Sequence, residues 1–247
     1  MTVKEEKAST QNLINMKEPI SHFFNKYKFD ASLIGQVITG TCFTAVELKT
    51  GKIGLCSNTS HKVDLRTIDL NNMQPDTILH RIILNAYYNA IFNYQQDYRS
   101  EKDVFDFVDF SRYKNIVMIG YFESTYSKFV KAGLKISVFD IDKTDPVLVP
   151  FSNEMDFVRK ADAILMTATT IANGTFSDLV NTTNDGSHIF LTSPSSIMHP
   201  DMFAYNNIRA ILGSVFNDHD QRVLDSIENG GCTKDFIKFG RKVVFQS

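Results

Sequence analysis

The spacing of hydrophobic residues divides the chain into two halves with different element patterns. In the first half, apolar residues recur at three- and four-residue steps within 10–28 and again within 76–94, which predicts two helices. Asp76 or Thr77 is placed to cap the second helix. Between the helices, the segments VITGTCFTAVEL and IGLCS flank Thr50-Gly51 and predict a β-hairpin. The first half therefore reads as helix, hairpin, helix.

The register of this hairpin determines where two of the three cysteines point. A two-residue turn at Thr50-Gly51 places Val46 opposite Leu55, and Cys42 and Cys56 then face opposite sides of the hairpin. Three cysteines are an odd number, and none of them forms a C-x-x-C pair. The sequence therefore predicts buried, reduced thiols rather than a disulfide framework.

In the second half, continuous apolar runs alternate with helical segments. The polar stretch YQQDYRSEKD precedes this half, so we place a domain boundary near residue 105, with a smaller α+β domain over 1–105 and an α/β domain over 106–247. Alternating strands and helices predict a parallel sheet covered on both faces, in a Rossmann-like arrangement. The predicted strands are 115–121, 135–141, 163–169, 188–195 and 210–216, and the predicted helices are about 123–132, 153–160, 174–180 and 218–229.

Composition narrows the class of protein. The 247 residues are 43% hydrophobic and 22% charged, which excludes disorder as the main state. A net charge of −2 gives no basic field for nucleic acid. Neither an N-terminal signal-peptide pattern nor an apolar run of membrane length is present, so a cytoplasmic protein without a membrane partner is expected. An exposed hairpin edge and 20 Phe residues favour a homodimer.

The carboxyl ends of the predicted parallel strands carry polar residues. Parallel strands share one carboxyl edge, and ligands of such sheets bind in the crevice beyond it. Phe122 would supply an apolar wall, Thr170 and Asn173 would supply hydrogen bonds, and Asp140 would hold a hydroxyl or cationic group. Turns and helix caps use the same residue types, so a capping role stays open. The predicted ligand-binding residues are Tyr121, Phe122, Glu123, Asp140, Thr169, Thr170, Asn173, Ser195 and Ser196.

The turn after the first parallel strand argues against a dinucleotide. Of the three glycines in G-x-G-x-x-G, only Gly120 is present. Glu123 also places a negative charge at the helix start, where a phosphate would dock. Asp140, 20 residues after Gly120, does match an acid that holds a ribose. A nucleoside-type cofactor such as S-adenosylmethionine therefore remains an alternative.

Candidate metal ligands are scattered in the sequence. No H-x-x-x-H, H-x-E or C-x-x-C pair occurs, so a permanent structural zinc is not predicted. A transition metal or metal chelate bound transiently or with a substrate stays open, and His199 and Cys232 are the first candidates for its ligands. The wider set is Glu123, Asp140, Asp142, His199 and Cys232, with His219 further away.

Several stretches of the second half resemble a known family in the same order. They are IGYFEST, SVFDID, ADAILMTATTIANGTFSDLV, SPSSIMHPDMF and GSVFNDHDQRVLDSIENGGCTKDFIKFG. They resemble the "putative heavy-metal chelation" domain family, a domain of unknown function with a Rossmann-like fold. The first half resembles that family's usual N-terminal partner, which looks like the N-terminal domain of enolase. Cys232 follows Gly231 where the resemblance implies a further glycine.

What the resemblance implies about function is a ligand or metal site without assigned catalytic residues. Its motif positions fall on Gly120, Tyr121, Phe122, Asp140, Thr169, Thr170, Asn173, Gly174, Thr175, Pro194, Ser195, Gly230 and Gly231. Three hypotheses follow. The first is binding of a small ligand or metal chelate in the crevice, the second is an enzyme that uses a nucleoside-type cofactor, and the third is a scaffold whose crevice is vestigial. The absence of an obvious nucleophile favours the first.

Overall fold

The computed structural model describes residues 18–100 and 103–246. Its N-terminal half is a three-stranded antiparallel sheet backed by one long helix. The part of the first predicted helix before Glu18 lies outside the described residues. The elements are α1 (Pro19–Tyr27), β1 (Ile34–Thr39), β2 (Phe43–Leu48), β3 (Ile53–Ser57) and α2 (Ile78–Phe92), and the strand order is β1-β2-β3.

The hairpin between β2 and β3 has a three-residue loop, so the predicted register is wrong by one residue. The backbone N–H of Leu48 donates to the carbonyl oxygen of Lys52 at 2.9 Å, and Gly51 adopts a φ of 86°. An added loop residue in this left-handed conformation is a common hairpin closure. Ala45, rather than Val46, consequently lies opposite Leu55.

Helix α2 joins the two halves of the molecule. Its start is capped by Thr77, whose side chain accepts a hydrogen bond from the backbone N–H of His80. One side packs on β2 and β3, and α5 of the second half also contacts it. Burial of this apolar helix on both partners ties the halves together through the hydrophobic effect. Its buried apolar residues are Ile82, Ile83, Leu84, Ala86, Tyr87, Tyr88, Ala90 and Phe92.

The second half is built on a seven-stranded sheet with the order β4-β10-β9-β8-β7-β5-β6. Strands β5 to β9 are parallel, whereas β10 and β4 are antiparallel to their neighbours. The mixed α/β fold with a parallel sheet is confirmed. The strands are β4 (Arg99–Ser100), β5 (Ile116–Ile119), β6 (Ile136–Phe139), β7 (Ala163–Thr167), β8 (His188–Thr192), β9 (Ile208–Phe216) and β10 (Gly240–Gln246).

The helices of this half differ from the sequence expectation mainly after β7. Residues predicted as a strand end and loop form the short helix α5, and Gly174 ends it with a φ of 82°. Strand β10 was not predicted, because its apolar run is short, yet it pairs with β9 over its full length. The helices are α3 (Glu123–Lys131), α4 (Glu154–Lys160), α5 (Thr169–Asn173), α6 (Phe176–Thr182), α7 (Gln221–Glu228) and α8 (Thr233–Phe236).

Two of the three cysteines are bonded to each other. A disulfide joins Cys42 to Cys232 with a Cα–Cα distance of 5.3 Å, so the expectation of reduced thiols is wrong for this pair. Their sequence separation of 190 positions hides the pairing from an analysis of local spacing. Cys56 is free and buried, on the face of the hairpin that packs against α2.

The strand order changes direction at β5, which lies between β6 and β7. The chain therefore winds outward from β5 on both sides, and open sheets of this kind form a crevice beyond the carboxyl ends of the strands at such a change of direction. No helix among residues 18–100 and 103–246 is long and apolar enough to span a membrane.

Candidate functional site

A cavity of about 1420 Å³ lies at the carboxyl ends of the parallel strands. Its floor includes the ends of β5, β6 and β7. The turn between β1 and β2 and the loop after β3 form one wall, and the segment from Glu228 to Ile237 contributes another. Both halves of the chain therefore enclose the cavity, at the place where open α/β sheets bind ligands.

The structure brings together most, but not all, of the residues predicted for this site. The predicted residues that line the cavity are Tyr121, Phe122, Asp140, Thr169, Thr170, Asn173 and the metal candidate Cys232. Asp142 also lines it. Five others lie outside the lining, namely Glu123, Ser195, Ser196, His199 and His219.

Glu123 lies next to the cavity on an exposed helix start. It is the first residue of α3, and its neighbours Phe122, Ser124 and Thr125 line the cavity while its own side chain is exposed to solvent. An acid at this position interacts favourably with the helix dipole. At this position Glu123 stabilises the start of α3.

Ser195 and Ser196 are fully buried beneath the cavity wall. The Oγ atom of Ser195 accepts a hydrogen bond from the backbone N–H of Ser57 at 2.9 Å, and its own N–H donates to Oγ of Ser193. The loop turns inward after Pro194, so Ser193 and Pro194 reach the cavity in their place. The two serines connect the halves of the molecule.

This loop is held by Asn85 and Asn89 of α2 and by Asn93, which directly follows the helix, and the sequence interpretation missed all three. Asn85, Asn89 and Asn93 are buried, and their side-chain amides donate to the carbonyl oxygens of residues 194–196 at 2.8–2.9 Å. Asn93 also accepts from the backbone N–H of Met198. Their four-residue spacing places them on one helix face. Amides at that spacing, two in a largely apolar helix and one directly after its end, were the signal available in the sequence.

His199 packs against aromatic rings of α1 and of the end of α2, outside the cavity lining, and has a structural role. Its Nδ1 accepts a hydrogen bond from the backbone N–H of Asp201, and its ring lies 4.5 Å from that of Phe92 and 4.9 Å from that of Tyr27. Burial lowers the pKa of the imidazole below its usual value. His219 is also outside the cavity lining, where it contacts Glu47.

Asp140 is engaged with the backbone of its own and a neighbouring loop. One carboxylate oxygen accepts from the N–H of Tyr121 at 2.7 Å, and the other accepts from the N–H groups of Asp142 and Lys143 at 2.9 Å each. Lys143 then donates from Nζ to the carbonyl oxygen of Tyr121 at 2.6 Å. These bonds order the loops after β5 and β6, which is the capping role that the sequence left open.

The hydroxyl and amide groups of the segment 167–175 form local hydrogen bonds at the cavity floor. Thr170 donates to the carbonyl oxygen of Thr167 at 2.7 Å. Asn173 accepts through Oδ1 from the N–H and hydroxyl of Thr175. A hydroxyl that donates one bond retains acceptor sites, and an amide whose oxygen is engaged retains two N–H donors. These groups are fixed in position and still able to bind a ligand.

Glu154 is a cavity residue that the sequence analysis did not identify. It is the first residue of α4, it lines the cavity and only 5% of its surface is exposed. Burial raises the pKa of its carboxyl group to about 7. Its sequence context is that of an ordinary acid at a helix start, so no signal distinguished it.

The donors at the cavity do not fit a bare metal ion. Within the described part of the chain, no group of three or more His, Cys, Asp or Glu residues could hold one. The thiols of Cys42 and Cys232 are bonded to each other, and Asp140 already accepts three N–H groups. A protein metal site needs several converging donors at short distance.

Comparison with known families identifies the chain. The profile of the family DUF364, described as "Putative heavy-metal chelation", matches residues 103–246. The chain belongs to this family. The match begins beside β4 and extends through β10, so it spans the whole seven-stranded sheet except its β4 edge. No curated protein matches the chain.

Solved structures of the DUF364 family share the fold. A family protein of unknown function from Pyrococcus horikoshii has a TM-score of 0.73 and 19% identity, with 87% of this chain and 93% of that chain covered. Another, from Desulfitobacterium hafniense DCB-2, has a TM-score of 0.72 and 14% identity, with 98% of this chain and 97% of that chain covered. Both alignments include most of the N-terminal half, so the two-part architecture is shared.

Proposed function

We propose that this DUF364 protein binds a small oxygen-rich molecule, free or as a metal chelate, in the cavity at the carboxyl edge of its parallel sheet. The supporting observation is a large cavity at the change of strand order that is rich in hydrogen-bonding groups but has no cluster of metal donors among the described residues. Pockets of this kind use a few placed polar groups to orient a ligand.

The chemistry of the lining suits a ligand with many oxygen atoms. Hydroxyl groups both donate and accept hydrogen bonds, and they approach the cavity from both halves of the chain. Apolar groups such as Phe122 and Phe139 cover other parts of the surface. The hydroxyl-bearing lining residues are Thr39, Thr41, Ser57, Thr59, Ser60, Tyr121, Ser124, Thr125, Thr167, Thr169, Thr170, Thr175, Thr192, Ser193, Ser214 and Thr233.

The same lining favours a metal that arrives already coordinated. A chelate carries its own donor atoms, so the protein needs only hydrogen bonds to the outer oxygens of the complex. Charged groups of both signs line the cavity and can pair with charges on such a molecule, namely Lys62, Lys143, Lys234 and Lys242 beside Asp103, Asp140, Asp142, Glu154 and Glu228. This arrangement agrees with the chemistry that the family description suggests without requiring protein side chains as metal ligands.

Glu154 gives the cavity a group that exchanges a proton near neutral pH. As a buried acid it donates a hydrogen bond when protonated, and as a carboxylate it accepts one. A bound cationic group would favour the ionised form, and a bound anion would favour the protonated form. Ligand binding is therefore coupled to proton uptake or release at this residue.

The alternative of an enzyme with a nucleoside cofactor has less structural support. The acid expected to hold a ribose is Asp140, and its two oxygens already accept three backbone N–H groups. The described cavity also offers no nucleophile paired with a base. We therefore retain the binding function as the proposal.

Native mass spectrometry of the freshly purified protein, combined with elemental analysis of the same sample, tests this proposal. We expect an added mass of small-molecule size that is released by unfolding, accompanied by a metal if the ligand is a chelate. A metal without an organic component would contradict the chelate proposal. A spectrum of unliganded protein that stays unchanged on incubation with a small-molecule extract would contradict ligand binding.

A further inference from the structure

We infer that the cavity selects ligands that carry a protonated amine, and that the carboxylate of Glu154 binds this amine beside the rings of Phe139 and Phe151. This inference rests on the proposed function and deepens it, because it names the chemical class of the ligand at one end of the cavity. Glu154, Phe139, Phe151 and Ile141 all line the cavity, and we call these four residues the amine corner.

The amine corner lies at the carboxyl end of β6. The segment before it runs parallel to this strand, because Leu148 forms a parallel bridge with Val138. The backbone N–H of Val149 donates to the carbonyl oxygen of Val138 at 2.9 Å. Residues 150–154 therefore continue past the end of β6, where Phe139 is the last residue of the strand.

Local packing fixes the acid and the two rings relative to one another. The backbone N–H of Glu154 donates to the carbonyl oxygen of Phe151, which closes the turn that leads into α4. One turn further along α4, the ring of Phe157 meets that of Phe139 edge to face, with centroids 5.4 Å apart. The start of α4 is thus held against the end of β6.

Glu154 is buried without a partner. No residue within 18–100 and 103–246 donates a hydrogen bond to its carboxyl group or forms an ion pair with it. Burial alone raises the pKa of this group to about 7, and none of the lysines that line the cavity lowers it. An unpaired buried carboxylate is costly. Because Glu154 lines the cavity, a cation can reach it from that side.

Stabilisation of the helix start does not account for the burial of Glu154. An acid in the first turn interacts favourably with the helix dipole from an exposed position. The first turn of α4 already has such an acid, since Asp156 is 70% exposed at its side chain. A second acid with 5% of its surface exposed is placed for a different contact.

The remaining residues of the amine corner suit an organic ammonium group. The faces of aromatic rings attract cations, and the attraction increases where water is excluded. Phe139 is fully buried, whereas Phe151 is 47% and Ile141 is 61% exposed, so apolar surface extends from the acid to the cavity edge. A carboxylate in such surroundings favours a charged amine over a neutral hydroxyl. The ligand is therefore an oxygen-rich organic amine, whose oxygen atoms meet the hydroxyl groups of the wider lining.

Titration with two matched probes tests this inference. Benzylamine and benzyl alcohol share one ring and differ only in the amine and hydroxyl groups. The titration follows backbone amide shifts of the full chain by NMR at pH 8, where the Glu154 carboxyl group is ionised. We expect wild type to bind benzylamine about tenfold more tightly than benzyl alcohol, as one charged hydrogen bond provides. The largest shifts are expected in residues 139–141 and 150–154.

Two variants assign the preference to one side chain. Glu154→Gln keeps the shape of the residue and loses no internal hydrogen bond, and it is expected to bind both probes equally. Asp156→Asn removes the same charge from the same helix but outside the cavity lining, and it is expected to keep the wild-type preference. Circular dichroism of each variant establishes that the fold is retained.

Four outcomes would overturn the inference: no binding of benzylamine to wild type, equal binding of the two probes by wild type, a preference retained in Glu154→Gln, or a preference lost in Asp156→Asn. The proposed function is decided separately, by the ligand mass in native mass spectrometry. A bound ligand without a basic nitrogen would contradict this inference and leave the proposed function standing. Absence of any ligand mass would contradict the proposed function.

Discussion

The backbone N–H of Ser57 donates a hydrogen bond to Oγ of Ser195 at 2.9 Å, which joins the end of β3 to the loop that follows β8. The bond is shielded from water, because Ser195 is fully buried. Ser57 and the neighbouring Ser193 both line the cavity. The segments that connect the two halves of the molecule therefore also form part of the cavity wall.

Replacing Asn89 tests whether the buried amides hold that loop in place. Asn89→Ala removes two hydrogen bonds and leaves the carbonyl oxygen of Pro194 without its amide donor. We expect the free energy of unfolding to fall by about 2 kcal/mol, as is usual for a lost buried polar partner. Urea denaturation measures this change. The exposed Asn71→Ala is the control and should change stability by less than about 0.5 kcal/mol. Equal effects in both variants would refute the loop-holding role.

Gly120 tests how closely β5 and β7 approach at the crevice. Its φ is 86°, and an added Cβ would lie 2.8 Å from Cγ2 of Thr167. Gly133 has a φ of 68° but no atom within 4 Å of an added Cβ, so Gly133→Ala measures the backbone cost alone. We expect Gly133→Ala to lower the free energy of unfolding by about 1 kcal/mol. Gly120→Ala should lower it by about 1–3 kcal/mol more, because the new Cβ overlaps with Thr167. Thermal or urea unfolding provides the comparison.

A second substitution separates overlap from backbone strain at Gly120. Thr167→Ser removes the methyl group, which is the atom nearest to the new Cβ, and keeps the hydroxyl together with Cβ of residue 167, which would lie 3.0 Å away. We therefore expect the double variant Gly120→Ala, Thr167→Ser to recover part of the additional loss in the free energy of unfolding. A strictly additive double variant would show that the two residues do not interact.

The raised pKa of Glu154 leads us to predict that the stability of the folded protein depends on pH. Its folded-state pKa of about 7 lies above the ordinary value of 4.5, so the folded protein binds this proton more tightly than the unfolded chain does. Stability from this group is present at low pH, is lost as the pH rises from about 4.5 to 7, and stays lower above that range. Glu154→Gln should be more stable than wild type at pH 8 by up to about 3 kcal/mol, and equally stable near pH 4.

Denaturation of wild type and Glu154→Gln across this pH range measures the effect. The exposed Asp185→Asn, in the turn before β8, serves as the control and should follow the wild-type curve. A wild-type curve parallel to that of Glu154→Gln would show that the carboxyl group is not perturbed by folding.

The parallel sheet was predictable because each of its strands is a continuous apolar run, and such runs are easy to recognise in a sequence. The helix α2 was predictable because its apolar residues recur at three- and four-residue steps. The register of the hairpin could not be predicted, because it depends on whether Gly51 closes a loop of two or of three residues. Both kinds of loop use a glycine at this position. Strand β10 was missed because its partner β9, rather than its own composition, stabilises it.

The site was predictable only as far as topology determines it. Tyr121, Phe122, Asp140 and Thr169 reach the cavity because each follows the end of a parallel strand. Ser195 follows a strand end as well, but the asparagines of α2 draw its loop inward. Glu154 and the Cys42–Cys232 pair depend on contacts between distant segments, and a sequence read in order does not reveal them.

Blocking the cavity is the most direct test of the proposed ligand site. Ser124 is exposed at the cavity edge, and Ser124→Trp would fill part of the entrance. Ser111 is an exposed serine before β5, outside the lining, and Ser111→Trp is the matched control. The measurement is the fraction of protein that carries the added ligand mass in native mass spectrometry. We predict the same ligand occupancy in wild type and Ser111→Trp, and at least a tenfold lower occupancy in Ser124→Trp. Equal occupancy in all three proteins would contradict the assignment of the ligand to this cavity.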